Sequence, residues 1–137
     1  MQTFLPYKDF EETARVLDWR RLGKQRVEAD QILNIVSGKT KKLGWRNHPA
    51  VKIWVGYEEA LVIYRNTIIR EWIRRGYKNN MVILPEKNIK DVSLPDLIGV
   101  DEYHLSHQSN LLRKDPEYYG RFFVGVSPDA EYLWRLK

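Results

Sequence analysis

Apolar residues recur at intervals of three and four along much of the chain, the period of an amphipathic helix. Asp9-Phe10-Glu11-Glu12 reads as a helix start, with Asp9 as the cap, Glu12 in capping-box position and a short helix running to about Leu17. From Asp18 to Val36 the residues Leu22, Ala29, Ile32, Leu33 and Val36 share one arc of a helical wheel, and Arg21, Lys24, Glu28 and Gln31 share the opposite arc. Ser37-Gly38 ends that helix, because glycine takes the left-handed conformation at low cost. Pro49 suits the first turn of the next helix, with Asn47 or His48 as its cap. From Ala50 to Arg75 only Gly56 interrupts a pattern carried by Trp54, Tyr57, Leu61, Tyr64, Ile68 and Trp72. Read as one helix, it has roughly 26 residues and spans about 39 Å.

The segment from 77 to 101 contains Pro85, Pro95 and Gly99 between two short apolar runs, and it predicts loop with short helical pieces, or alternatively a small hairpin. A last helix is expected from about Tyr103 to Arg113, and Asp115-Pro116-Glu117 starts a further turn. Nothing repeats. The pattern predicts an all-α fold in which residues 1–137 form one compact domain, with a long central helix packed by shorter ones.

Charge narrows the partner. The 137 residues carry 23 Lys and Arg against 18 Asp and Glu, a formal net charge of +5, together with five Trp, eight Tyr and four Phe. A basic, ring-rich chain favours a nucleic acid, whose phosphates attract the cations and whose bases stack on the rings. The absence of cysteine excludes disulfides, a thiol nucleophile and every cysteine-based zinc site. No apolar run approaches the roughly 18 to 20 residues of a spanning helix, and the first residues lack a signal-peptide profile. A soluble, cytoplasmic protein with no membrane partner is the expectation.

The cations fall in clusters. Arg20, Arg21, Lys24 and Arg26 lie within seven residues with no acidic residue among them, which fits phosphate contact better than a solvated face. Lys39, Lys41, Lys42 and Arg46 form a basic loop around Trp45, whose ring either stacks on a base or closes the core. Arg46-Asn47-His48 sets a cation, an amide and an imidazole just ahead of helix N–H groups, which favour anions; simple capping is the alternative. Arg113 and Lys114 are a further cationic point. His104 and His107 stand one turn apart, and with His48 they are the three histidines of the chain. Without a recognisable carboxylate or thiolate ligand they read as DNA-contacting, catalytic or structural imidazoles and not as a metal site, so no metal or cofactor is expected. Glu28 is either the i,i+4 partner of Lys24 or a carboxylate facing a cationic cleft.

Several of these strings, in order, carry a family resemblance. Asp18-Trp19-Arg20-Arg21-Leu22-Gly23-Lys24, the stretch from His48-Pro49 to Arg75-Gly76-Tyr77, and His107-Gln108-Ser109 followed by Tyr118-Tyr119-Gly120 resemble the pyrimidine-dimer DNA glycosylases of the bacteriophage endonuclease V type. The chain is most similar to a bacterial branch that opens Met-Gln-Thr-Phe-Leu-Pro-Tyr and carries the string from Arg21 to Glu28. The resemblance implies a compact all-α protein, expected to act as a monomer, that binds double-stranded DNA and flips a nucleotide. It also implies attack on the sugar C1′ by the N-terminal α-amine and strand cleavage through a Schiff base. An ordinary α-amine has a pKa of about 7.7–8.0, so an appreciable fraction is nucleophilic near neutrality. A carboxylate nearby stabilises the cationic sugar and iminium.

Three positions depart from the phage-type pattern. Arg21 stands where that pattern has its catalytic glutamate, Ala14 stands where it has a histidine, and Gln2 normally blocks trimming of Met1, so the α-amine belongs to Met1. Glu28 lies seven residues, about 10.5 Å of helix, beyond Arg21, and Asp18 about 4.5 Å before it. The resemblance therefore implies a DNA N-glycosylase, with or without lyase activity. Met1, Glu28, His48 and His107 are its catalytic candidates. Arg20, Arg21, Lys24, Arg26, Trp45, Arg46, Asn47, His104, Arg113 and Lys114 are its DNA-binding candidates. A duplex-binding module without catalysis is the rival, and a histidine-metal nuclease a weaker third.

Overall fold

Capping carboxylates start the first two helices where the sequence puts them. In the computed structural model, which describes residues 1–40 and 44–136, the Asp9 carboxylate accepts the N–H groups of Glu11 and Glu12 at 2.8 and 3.2 Å and opens α1 (Phe10–Val16). Asp18 likewise opens α2 (Trp19–Val36), which ends at Ser37 with Gly38 at φ +78°. The remaining helices are α3 (Pro49–Lys52), α4 (Glu58–Arg74), α5 (Asp101–Lys114) and α6 (Pro116–Tyr119), with a 3-10 turn at Ile89–Asp91. No strand is formed among the described residues, so the fold is all-α and the hairpin alternative for 77–101 is not taken up.

The expected 26-residue helix is two helices. α3 stops at Lys52, Trp54 turns into the core, and Gly56 at φ +86° swings the chain before α4 begins. Among L-residues that backbone angle is costly, so glycine at this corner is what permits the break. The apolar pattern runs on across it because α3, Trp54 and α4 all face the same core. α4 packs against α1 and α2 and is the central helix, at 17 residues or about 25 Å. Its inner face buries Leu61, Tyr64 and Ile68. Gly23 lets α2 and α4 close up, since a Cβ there would sit 2.8 Å from the Trp72 ring.

Two non-helical segments matter for the site. Residues 1–6 run extended through the core, and Leu5 is fully buried. Residues 126–136, here called the strap, lie along one face of α5. Ser109 Oγ accepts the Ala130 N–H at 2.8 Å, Ser106 Oγ accepts the Leu133 N–H at 3.3 Å, and Arg113 donates to the Ala130 carbonyl at 2.9 Å and to Pro128. Arg113, expected on DNA, is thus engaged with main chain, because the strap has no backbone ladder of its own and side chains must satisfy its polar groups. No helix among the described residues is long and apolar enough to cross a membrane.

Candidate active site

An extended segment buried without neighbouring strands has orphan N–H and C=O groups, and polar side chains must fill them. Residues 2–6 meet this demand almost entirely from α2, α4 and α5. The Gln2 N–H donates to Glu28 Oε2 at 2.8 Å. Gln25 works in both directions, donating to the Gln2 carbonyl and accepting the Phe4 N–H at 2.7 Å. Tyr64 donates to the Phe4 carbonyl at 2.7 Å, and Gln108 to the Pro6 carbonyl at 2.8 Å. The result is a chain start threaded along α2 until Met1 and Gln2 stand beside Glu28.

Both Leu5 main-chain groups go to histidines. His107 Nδ1 accepts the Leu5 N–H at 2.9 Å, which assigns its proton to Nε2. His104 Nδ1 donates to the Leu5 carbonyl at 2.7 Å while its Nε2 accepts the Gly99 N–H at 2.9 Å. Burial, reinforced by the neighbouring His104, pushes the fully enclosed His107 down to a pKa of about 3. Burial also lowers His104, against the opposing pull of the Leu5 carbonyl. Neither ring is among the residues that line the cleft below, and both, expected at the reacting centre or on DNA, brace the first residues here. Their one-turn spacing is what lets two rings grip both sides of one peptide.

The cleft, about 980 Å³ in volume, opens where Met1 and Gln2 emerge. Its cations come from the first part of α2, with Arg20, Arg21 and Lys24, and from Lys114 at the end of α5, and the carboxylates Asp18, Glu28 and Asp115 line it too. Phe4, His48, Tyr132 and Trp134 line it as well. Arg20, Lys24 and Lys114 are exposed, as phosphate contacts must be. Arg21 is not free: its guanidinium pairs with Asp18 at 3.0 Å and lies over the Tyr119 ring at 5.9 Å. Burial alone would raise the Asp18 carboxyl, but the Tyr119 hydroxyl and Arg21 together hold it below its ordinary value. Asp18 therefore serves Arg21, Tyr119 and the cap of α2.

Glu28 is the carboxylate that faces the chain start. Its Oε1 lies 3.6 Å from Lys24 Nζ while Oε2 takes the Gln2 N–H, so the ion pair and the cleft-facing arrangement coexist on different oxygens. His48 caps α3 by accepting the Ala50 N–H at Nδ1, 3.1 Å away. Its pKa is lowered first by burial and then by the N-terminal ammonium, with Glu28 opposing, which places all three within reach of one another's fields. Met1, Glu28 and His48, from three separate stretches of sequence, converge.

The other candidates divide. Trp45, Arg46 and Asn47 form an exposed turn beside His48, and Trp45 borders a smaller hollow of about 500 Å³ that shares Met1, Lys24 and Glu28 with the cleft. Lys39 is exposed, and Lys41 and Lys42 lie outside the described residues. Arg26 does not reach the cleft; it stacks on Trp72 at 4.9 Å and donates to Asn79 at 2.8 Å, because its side of α2 faces α4. Gln25, Tyr132 and Trp134 were not anticipated. Gln25 had a signal, since it sits between Leu22 and Ala29 on the apolar arc, where a polar residue needs a buried partner. The two strap rings had none.

A family model described as pyrimidine dimer DNA glycosylase matches residues 1–84, from Met1 to the extended segment after α4. It takes in Met1, Glu28 and His48 and stops before α5, α6 and the strap. No curated protein and no solved structure matches the chain.

Proposed function

The chain belongs to the pyrimidine dimer DNA glycosylase family, and from that premise we propose that it excises a damaged pyrimidine from duplex DNA with Met1 and Glu28 at the reacting centre. The observation that carries the reading is the hydrogen bond from the Gln2 N–H to Glu28, which fixes a carboxylate next to the N-terminal residue at the end of a cationic cleft.

In this mechanism the unprotonated Met1 amine attacks C1′ of the target nucleotide. The new N–C1′ bond replaces the bond to the base, which leaves with its electron pair and takes up a proton, while the amine gives up one of its own. Breaking of the C1′–O4′ bond, with O4′ taking up a proton, yields an iminium; loss of a C2′ proton expels the 3′ phosphate and cleaves the strand, and water then hydrolyses the iminium to free the Met1 amine. Glu28 stabilises the positive charge that develops on sugar and nitrogen, a contribution worth most in a cleft from which water is partly excluded. Arg20, Lys24 and Lys114 hold phosphates and fix register, as cations do on DNA. His48, whose Nδ1 is occupied by the helix cap, presents an Nε2–H that donates to the DNA.

Borohydride trapping on duplexes carrying a pyrimidine dimer or a panel of oxidised and deaminated pyrimidines tests the reading. A covalent adduct at Met1, located by peptide mass spectrometry, is expected, with Glu28→Gln lowering base release at least 100-fold, the scale of losing one such electrostatic group. Base release without an adduct would mean that water, not Met1, is the nucleophile. Salt-dependent binding with no base release from any lesion would leave a duplex-binding module.

A further inference from the structure

We propose that the strap builds a base-stacking subsite in the cleft, in which Tyr132 and Trp134 receive a planar nucleobase drawn out of the duplex on the attacked strand. This rests on the reading of the cleft as a DNA site.

Four observations carry it. The strap is held in place by its main chain, through Ser106, Ser109, Asn110 and Arg113 on one face of α5, and Tyr132 also packs edge-on against His107 at 5.1 Å, which leaves Trp134 as the ring not engaged with α5. Those two rings stand 5.3 Å apart between centroids, and Trp134 continues at 6.3 Å to His48. Their planes are inclined by 42° and 82°, so the three rings line the cleft as separate faces from the strap to the start of α3. Gln2, whose N–H is held by Glu28, lines the same cleft as Tyr132 and Trp134. Finally, the same cleft carries Arg20, Lys24 and Lys114 as exposed cations and the two strap rings within its aromatic lining. A nucleotide needs both, a cation for its phosphate and a ring face for its flat base. Stacking is tolerant of base identity, because every base has a π face, and it favours a planar ring over a puckered saturated one. The strap lies beyond residue 84, outside the stretch that the family model matches.

The test compares two duplexes that differ at one position. One carries a mismatched thymine on a 2′-fluoro sugar, which resists base release; the other carries a tetrahydrofuran abasic analogue there. Affinities of the full-length wild type, Trp134→Ala and Trp134→Phe are measured by fluorescence anisotropy at fixed salt. Trp134→Ala should weaken binding of the base-bearing duplex by about 5- to 150-fold, the range for one lost stack. Its affinity for the abasic duplex should stay within about twofold, and Trp134→Phe should retain most of the preference. Equal losses on both duplexes, or no loss on either, overturn the subsite while leaving the DNA site in place. A wild type that binds neither duplex overturns the DNA reading itself and the subsite with it.

Discussion

His107 makes the bracing of the first residues measurable through pH. Its Nδ1 accepts the Leu5 N–H, so protonation there would set donor against donor inside a fully buried site. Nε2 has no hydrogen-bond partner to compensate. The folded protein therefore holds the ring neutral, with a pKa of about 3. In the unfolded chain the ring titrates near 6.5, so below that pH the unfolded state binds a proton that the folded state refuses, and stability falls as acid is added. The slope from this one group approaches the full value for one proton per molecule, and between pH 6.5 and 4.5 the loss is about 2 kcal/mol. It continues until the pH reaches the folded value. His104 acts in the same direction, because burial lowers it too.

The perturbation that isolates His107 is His107→Asn, which keeps an oxygen near the position of Nδ1 and removes the titration. The variant is expected to be less stable at pH 7, because the side chain is smaller, and that offset carries no information here. The decisive quantity is the pH slope. Urea unfolding free energies measured from pH 7 to 4 should fall more gently in the variant, so that the two curves converge by about 2 kcal/mol at pH 4.5. Curves that stay parallel over this range would refute a neutral, Leu5-bound His107.

Two further perturbations probe the packing and the cleft. Gly23→Ala adds a Cβ 2.8 Å from Trp72 Cζ3, and the ring is backed by Tyr77 at 4.3 Å and tied through Nε1 to the Lys78 carbonyl at 2.7 Å. The clash costs about 1–3 kcal/mol against a helix-propensity gain of at most about 1, so Tm should drop; a higher Tm would contradict the tight α2–α4 approach. For DNA binding, Arg20→Gln and Lys114→Gln should each reduce the slope of log K against log salt by about 0.9, one phosphate contact apiece. Arg26→Gln and Arg113→Gln should leave it unchanged, since their guanidinium groups are engaged with Trp72 and Asn79 or with the strap.

Local chemistry explains which parts of the fold were legible in the sequence. α1 and α2 begin at capping carboxylates, Asp9 and Asp18, and α6 follows Asp115-Pro116, so their starts are written in three or four adjacent residues. The break between α3 and α4 is different: the pattern of buried positions does not register a corner when both sides of it pack on one core, and Gly56 is its single local mark. The candidate site follows the same division. Glu28 and His48 are visible as chemically capable residues, but their meeting at Met1 depends on the threading of residues 2–6 by Gln25, His104 and His107, which is tertiary. Arg26 and Arg113 read as free cations in the sequence, and in the fold their guanidinium groups are engaged with Trp72 and Asn79 and with the strap. Tyr132 and Trp134 lie in a segment without periodicity, so nothing local indicates that the strap turns them into the cleft.

The geometry also offers a physical answer to the arginine at position 21. A carboxylate there would stand beside Asp18, whose two oxygens already serve the cap of α2 and Tyr119, and like charges at that spacing repel. With arginine in place the same pair attracts, at 3.0 Å, and the Tyr119 ring packs against the guanidinium. The acid that the proposed chemistry needs then sits two turns along α2 at Glu28, and a carboxylate moved by about 10.5 Å is useful only if the amine moves with it. The extended path of residues 2–6 does this, since each of its anchors on α2, Gln25 and then Glu28, is one helical turn further along, and the last one holds Gln2 itself. Under the proposed mechanism the carboxylate and the chain start are therefore one unit. Gln25→Ala should loosen the chain start from α2 and so from Glu28, lowering kcat with little change in DNA affinity; an unchanged kcat would refute the coupling.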